Sequence, residues 1–328
     1  MKNLTLLLLT LPVLGCGDKN DTAAEESDAD TDADTDADTD ADTDADTDAD
    51  ADLISLSING DATTLTTREV LTYTVEATFD DGTTADVTAD ASVSSSDDDV
   101  LTVYTSGSAQ PLGAGSATLT AELDGFGDGF MVDVTVVAAE EGDLVINEIL
   151  SDATVEGDPN GDGTTDDVED EYVEIANHSD VTVDLTGIYI QENDLLGQPR
   201  HTFADGTTLR AGEAIVVFGG GDVSSLSEDN VTFLTADNDD PGIAYGLGLT
   251  NSGDRVSLIN ADGTTLTIVM YGDADLTATT PAILDASLNL DEDVWGKAYE
   301  SHSDLSSSAY SPGTLLDGSA YPGPDGRY

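Results

Sequence analysis

The sequence predicts an all-β chain, with two β-sandwiches in tandem behind a disordered acidic linker. Three observations carry that prediction. From residue 53 onward, short runs rich in Val, Thr, Leu and Tyr recur between Asp-Gly, Ser-Gly and Gly-Ala-Gly punctuation, the pattern of antiparallel strands and their turns. The runs fall into two blocks, 53–138 and 143–321, parted by Glu140-Glu141-Gly142-Asp143. Ahead of both lies a segment almost without apolar residues. A chain of 328 residues has room for two such domains plus extensions.

Residues 1–15, MKNLTLLLLTLPVLG, combine a positive start at Lys2 with an apolar stretch from Leu4 to Leu14. This is the pattern of an export signal, too short for a membrane span of about 20 residues. Val13-Leu14-Gly15-Cys16 resembles a bacterial lipobox. The resemblance implies removal of residues 1–15 and acylation of Cys16, the one cysteine of the chain. Several acyl chains on one residue give a stable anchor, each buried CH₂ contributing about 0.8 kcal/mol. Gly17 stands where an aspartate would favour inner-membrane retention in some Gram-negative bacteria, so the outer membrane is the expected location, with the chain on its surface or periplasmic side.

Residues 16–52 form the linker. Aspartate occupies every even position from Asp28 to Asp52, with Ala and Thr between. Such a segment has nothing to bury, and its like charges repel, so it is expected to be an extended, disordered stalk. From Asp18 to Asp52 the contour limit is about 115–125 Å.

Within 53–138 the order is LISLSI, YTVEATFDDGTTADVT, VSSSDDDVLTV, GAGSATLTAELDG and VDVTVV. With Asp81-Gly82-Thr83-Thr84 and Gly115-Ser116-Ala117-Thr118 as its most specific parts, this block resembles a group 2 bacterial Ig-like (BIG2) domain. Val93 stands where that family usually has tryptophan, which implies a smaller core rather than another fold. The resemblance implies a spacer or adhesion module.

The second block has five landmarks in order: LVINEIL at 144–150, EYVEIANHSDVTVDLTGIYI at 171–190, GTTLRAGEAIVVF at 206–218, LTNSGDRVSLINADGTTL at 249–266 and SPGTLL at 311–316. Alternation in Tyr172-Val173-Glu174-Ile175 and in Arg255–Ile259 predicts half-buried strands, and Asp262-Gly263 predicts a hairpin. The set resembles the lamin-tail domain, an Ig-like sandwich, over residues 143–321. The resemblance implies a fold rather than a chemistry, and bacterial relatives are often membrane-attached or joined to hydrolases. Asn147, Glu148, Glu171 and Glu174 are expected to make strand-end hydrogen bonds and solvated faces, with a second metal or ligand patch as the weaker option. Trp295 is read as a core plug, with a sugar platform of Trp295, Tyr299 and His302 as the weaker option.

Between the first two landmarks lies DPNGDGTTDDVE. Asp158, Asn160, Asp162, Asp166 and Glu169 fall at positions 1, 3, 5, 9 and 12, Gly163 at 6, and Thr164 at 7 offers its carbonyl. This is the spacing of an EF-hand calcium loop. Calcium takes six to eight oxygens, glycine permits the sharp turn, and the last glutamate closes the shell. Thr165 and Pro159 depart from the usual pattern, and the flanks read as strands, so the loop is expected between strands as a structural calcium clasp. Asp170 is an alternative to Glu169 as the closing ligand.

Eight Lys and Arg stand against 69 Asp and Glu, a net charge of -61. This argues against nucleic acid or anionic lipid as partners, which need a basic footprint, and favours divalent cations. His178, His201 and His302 are scattered without paired spacing, and no nucleophile-elbow motif is present. The expectation is a lipid-anchored protein of the bacterial cell envelope with a non-catalytic binding, adhesion or structural role. Its partners would be the membrane, through Cys16, and an extracellular protein or polysaccharide. The alternative is an accessory module or a cryptic metal-dependent hydrolase or nuclease outside the cytoplasm.

Overall fold

The structure is a computed structural model that describes residues 51–151, 157–192, 198–237, 246–272, 286–294 and 296–324. The export signal, Cys16 and the linker up to residue 50 lie outside the described residues, as does Trp295. The described part is nearly all β, as the sequence predicts, and carries two main hydrophobic cores.

The first sandwich contains β1 (Leu53–Gly60), β2 (Thr64–Thr66), β3 (Leu71–Phe79), β4 (Thr84–Asp86), β5 (Ser92–Ser95), β6 (Leu101–Thr105), β7 (Ser108–Pro111), β8 (Gly115–Leu123) and β9 (Phe126–Thr135). One sheet runs β1-β3-β7-β6 with β4 beside β3, and the other β2-β9-β8-β5. In β3, Leu71, Tyr73, Val75 and Ala77 are buried and the residues between them exposed, the alternation of a half-buried strand. They meet Leu119, Ala121, Val132 and Val134 from the opposite sheet. Aspartates build the turns: Asp81 Oδ1 accepts from the Thr83 N–H at 2.8 Å, and Gly82 takes the positive φ. The parallel pairing of β2 with β9 sets Thr64–Thr66 against Asp133–Thr135.

The second sandwich contains β10 (Val137–Ala138), β11 (Leu144–Leu150), β12 (Tyr172–Asn177), β13 (Val183–Asp184), β14 (Tyr189–Gln191), β15 (His201–Thr202), β16 (Thr208–Leu209), β17 (Ala214–Phe218), β18 (Val231–Thr235), β19 (Arg255–Ile259), β20 (Thr265–Met270), β21 (Leu288–Val294), β22 (Tyr299–Ser301) and the short helix α1 (His302–Leu305). A six-stranded sheet in the order β18-β17-β12-β11-β21-β22 faces a four-stranded sheet in the order β15-β14-β19-β20. The 260–264 turn joins β19 and β20 as the predicted hairpin.

The two sandwiches are joined by non-covalent contacts as well as by the chain itself. β10 pairs in parallel with β13, and the buried Thr67 hydroxyl donates to Thr182 O at 2.7 Å. Arg68 Nη2 reaches Asp143 Oδ2 at 2.6 Å, and Arg210 Nη2 reaches Asp99 Oδ1 at 3.0 Å.

The expected half-burial of Tyr172–Ile175 is corrected here: β12 is buried at every position. It lies in the middle of its sheet, and both faces are covered. Val173 and Ile175 enter the core between the sheets. On the other face Tyr172 packs with Phe218, Phe233 and Tyr310, and Ala176 packs with Tyr321 and Leu315. The C-terminal segment supplies part of that second cover.

Candidate functional site

The 158–170 loop runs between β11 and β12, both strands as expected. Asp158, Asn160 and Asp162 converge. The Asp162 N–H donates to Asp158 Oδ1 at 3.1 Å and to Asn160 Oδ1 at 3.0 Å, and the Gly163 N–H to Asp158 Oδ2 at 2.8 Å. Gly161 and Gly163 hold positive φ values of 72° and 92°, open to glycine at little cost. The Thr164 N–H donates to Asp162 Oδ1 at 2.8 Å.

The other two predicted side chains do not join this group. Asp166 Oδ1 accepts from the Val168 and Glu169 N–H groups, and the Glu169 side chain is exposed, its stem against Gly220. Asp170 takes the inner position. It is fully buried, accepting from the Asp166 N–H at 2.8 Å and the Asn160 N–H at 3.4 Å. Burial pushes its carboxyl pKa up, and repulsion from Asp158 and Asp162 adds to the rise. Among the described residues, no group of three or more His, Cys, Asp or Glu side chains is gathered tightly enough to hold a metal. The donor set of Asp158, Asn160, Asp162 and Asp170 is nonetheless all oxygen, with like charges crowded together. That chemistry fits a hard dication such as calcium.

The loop is seated on Gly219-Gly220-Gly221. A Cβ on Gly219 would stand 1.9 Å from Val168 O, and one on Gly221 would stand 2.8 Å from Asp162 Oδ2. Gly219 and Gly220 also donate to Glu171 O and Glu169 O at 2.7 and 3.0 Å.

A second constellation is more deeply buried, and the expectation of solvated faces for Asn147, Glu148, Glu171 and Glu174 is corrected by it. All four are buried. A bulge in β11 between Ile146 and Glu148 brings Asn147 and Glu148 onto the face that carries Glu174. Glu148 and Glu174 are direct cross-strand partners, both fully buried. Glu174 Oε1 accepts from Asn147 Nδ2 at 2.9 Å and Tyr321 Oη at 2.5 Å, and its Oε2 from the Gly313 N–H at 2.6 Å. Glu148 accepts from the Ser287 hydroxyl, the Ser311 N–H at 3.0 Å and the Ser311 hydroxyl at 3.2 Å. Desolvation pushes both carboxyls up. Repulsion from Glu148 adds to the rise at Glu174, which reaches about 8, while His302 opposes the rise at Glu148. In the sequence Glu174 stands between Val173 and Ile175 but Glu148 between Asn147 and Ile149, and nothing local announces the cover that the distant SPG at 311–313 supplies.

His302 is fully buried. Its Nδ1 faces Ser308 O at 3.0 Å, its Nε2 faces Ser311 Oγ at 2.9 Å, and Glu148 Oε1 lies 4.0 Å away. A cleft of about 270 Å³ over it is lined by Ser306–Ser308, Ser311 and Thr314 among others. The Tyr299 hydroxyl donates to Ile146 O at 2.5 Å, so Tyr299 and His302 are tied into the sandwich rather than displayed as a sugar platform. His178 and His201 lie elsewhere. His201 is buried 3.1 Å from Asp237 Oδ1, and burial pushes its pKa down. Glu171, with the Leu249 N–H at 3.2 Å, is pushed up to about 9 by desolvation.

Comparison with known proteins bears on the second sandwich. A search of curated proteins finds no match. Solved structures of a surface-layer protein share low similarity. Domains 5–6 of the S-layer protein SbsC are 13% identical, covering 67% of this chain and 96% of that one, with a TM-score of 0.22. A structure of SbsC domains 1–6 is 12% identical, covering 67% and 33%, with a TM-score of 0.24. Residues 137–273, from β10 through β20, match the Lamin Tail Domain family model.

Proposed function

We propose that this chain is a lipoprotein of the bacterial cell envelope, acylated at Cys16, whose two sandwiches form a stiff, non-catalytic module displayed outside the cytoplasm. The first sandwich serves as a BIG2-like spacer, and calcium stabilises the 158–170 loop of the second. The observation that carries the reading is how the buried ionisable groups are used. Glu148, Glu174 and His302 are engaged by donors and acceptors of the chain itself, in the manner of framework groups. The braced joint at Thr67, Arg68 and β10 suits a module that holds a partner at a fixed distance.

In cells, the whole chain is expected in the outer-membrane fraction and to be degraded when intact cells are treated with protease. Cys16→Ser should release it into the soluble fraction. Wild-type protein that is soluble, or membrane-bound protein that resists protease until the cells are opened, overturns the anchored or the displayed part respectively.

For the metal, the melting midpoint should rise with millimolar calcium and fall back with EGTA. Calcium at ten times its Kd contributes about 1.4 kcal/mol. Asp158→Asn should abolish the rise. An unchanged midpoint with no heat of binding in calorimetry would leave the loop as a purely acidic turn.

A further inference from the structure

The fold of the second sandwich does not end where its family match ends. β21 is inserted beside β11, and residues 302–323 then return across the outer face of the six-stranded sheet. The donors that hold this return are unusual in their targets. Two backbone N–H groups, from Ser311 and Gly313, and two hydroxyls, from Ser311 and Tyr321, all point at the Glu148–Glu174 pair. A third N–H, from Leu316, points at Asp293 Oδ1 at 3.0 Å. The segment is thus attached to the sheet through carboxylates more than through any strand ladder.

Two carboxylates placed side by side and shielded from water cannot both be charged at ordinary cost. The structure supplies an acceptor for the proton that one of them retains. Asn147 Oδ1 is buried without a hydrogen-bond partner beside Glu174, and the Tyr172 hydroxyl borders Glu148. A carboxylic acid would give Asn147 Oδ1 the donor it lacks.

We propose that residues 302–323 are a pH-gated clasp, held on the sheet while Glu148 and Glu174 share a proton and released when both carboxylates are charged. Loss of the proton to solvent base adds a second negative charge among groups that offer little to balance it. On β12, Tyr172 and the neighbouring apolar side chains carry no positive charge. β21 presents Asn289 and Asp293, β22 presents Tyr299, and the clasp itself presents Tyr310, Asp317 and Tyr321. Glu228 lies against Gly313 from the far side. His302, 4.0 Å from Glu148, is the one imidazole against the pair among the described residues. Ionisation of both carboxylates is therefore costly while the clasp keeps water from them, and water admitted by its departure relieves the charge.

Hydrogen exchange on the whole chain, corrected for intrinsic rates, tests this between pH 6 and pH 9.5. Protection of the Ser311, Gly313 and Leu316 amides is expected to fall at least about tenfold over that range while β11, β12 and the first sandwich keep theirs. In Glu174→Gln the clasp should stay protected at pH 6 and lose its pH dependence. Should that variant fail to fold, Glu148→Gln carries the same expectation. Protection that is constant with pH in the wild type overturns the proposal. So does loss across the whole second sandwich at once, or pH dependence that persists in the folded glutamine variant.

Discussion

Glu174→Ala should lower the stability of the chain by about 3–5 kcal/mol, read from urea unfolding at neutral pH. The truncation leaves the Asn147 amide, the Tyr321 hydroxyl and the Gly313 N–H in the interior without an acceptor, and an unmet buried donor costs about 1–3 kcal/mol. It also cuts the tie between β12 and the C-terminal segment. The pH profile of the wild type separates this cost from a simple cavity. Glu174 keeps its proton in the folded state well above 4.5, where it is already lost from the unfolded chain, so folding takes up a proton. The contribution of Glu174 to stability is therefore greatest near and below pH 4.5 and declines as the pH climbs toward about 8, by roughly a few kcal/mol. In Glu174→Ala the decline should be shallower. A profile as steep as that of the wild type would show that Glu174 titrates normally and that this account of its burial is wrong.

Gly219→Ala should cost about 2–3 kcal/mol and also disturb the 158–170 loop. The residue does not need glycine for its φ, since it is not among the left-handed positions. It needs glycine because the added methyl would stand 1.9 Å from Val168 O, which is backbone and cannot rotate away. To make room, the chain must separate β17 from the loop and break the Gly219 N–H bond to Glu171 O and the Gly220 N–H bond to Glu169 O. Gly263→Ala is the control. Its Cβ meets nothing within 4 Å, so only the strain of φ 88° remains, about 1–2 kcal/mol. Thermal melts of both variants, with and without calcium, should show a larger loss in Gly219→Ala and a calcium response kept only in Gly263→Ala. Equal losses in the two would mean that the loop is not seated on this glycine.

The strands were legible because their side chains alternate or cluster at fixed spacing. β3 declares itself through Leu71, Tyr73, Val75 and Ala77, and the β19–β20 hairpin through Asp262-Gly263. Abundant aspartate was harder to interpret. Many of these residues close turns by accepting from an N–H two residues on, as Asp81 does for Thr83, Asp222 for Ser224 and Asp317 for Ser319. Within 158–170 the same local bonding occupies Asp166, and spacing alone could not assign the inner position to Asp170 rather than Glu169. The Glu148–Glu174 pair was out of reach for another reason. Whether a glutamate on a strand meets water depends on what covers the other face, and here the cover arrives from Ser311–Tyr321, far along the chain. Local alternation carries no record of so distant a contact.

The parallel pairing of β2 with β9 has a mechanical consequence. The first sandwich is entered at residue 51 and left at residue 136, and the strand near its entrance lies alongside the strand at its exit, pointing the same way. An opposed pull on the two ends slides β2 and β9 past each other instead of peeling them apart. The bonds that resist this sliding include those from Asp133 N–H to Thr63 O and from Thr67 N–H to Thr135 O, and they share the load together rather than in succession. Tension between the two ends is therefore carried in the direction in which a β ladder is hardest to open.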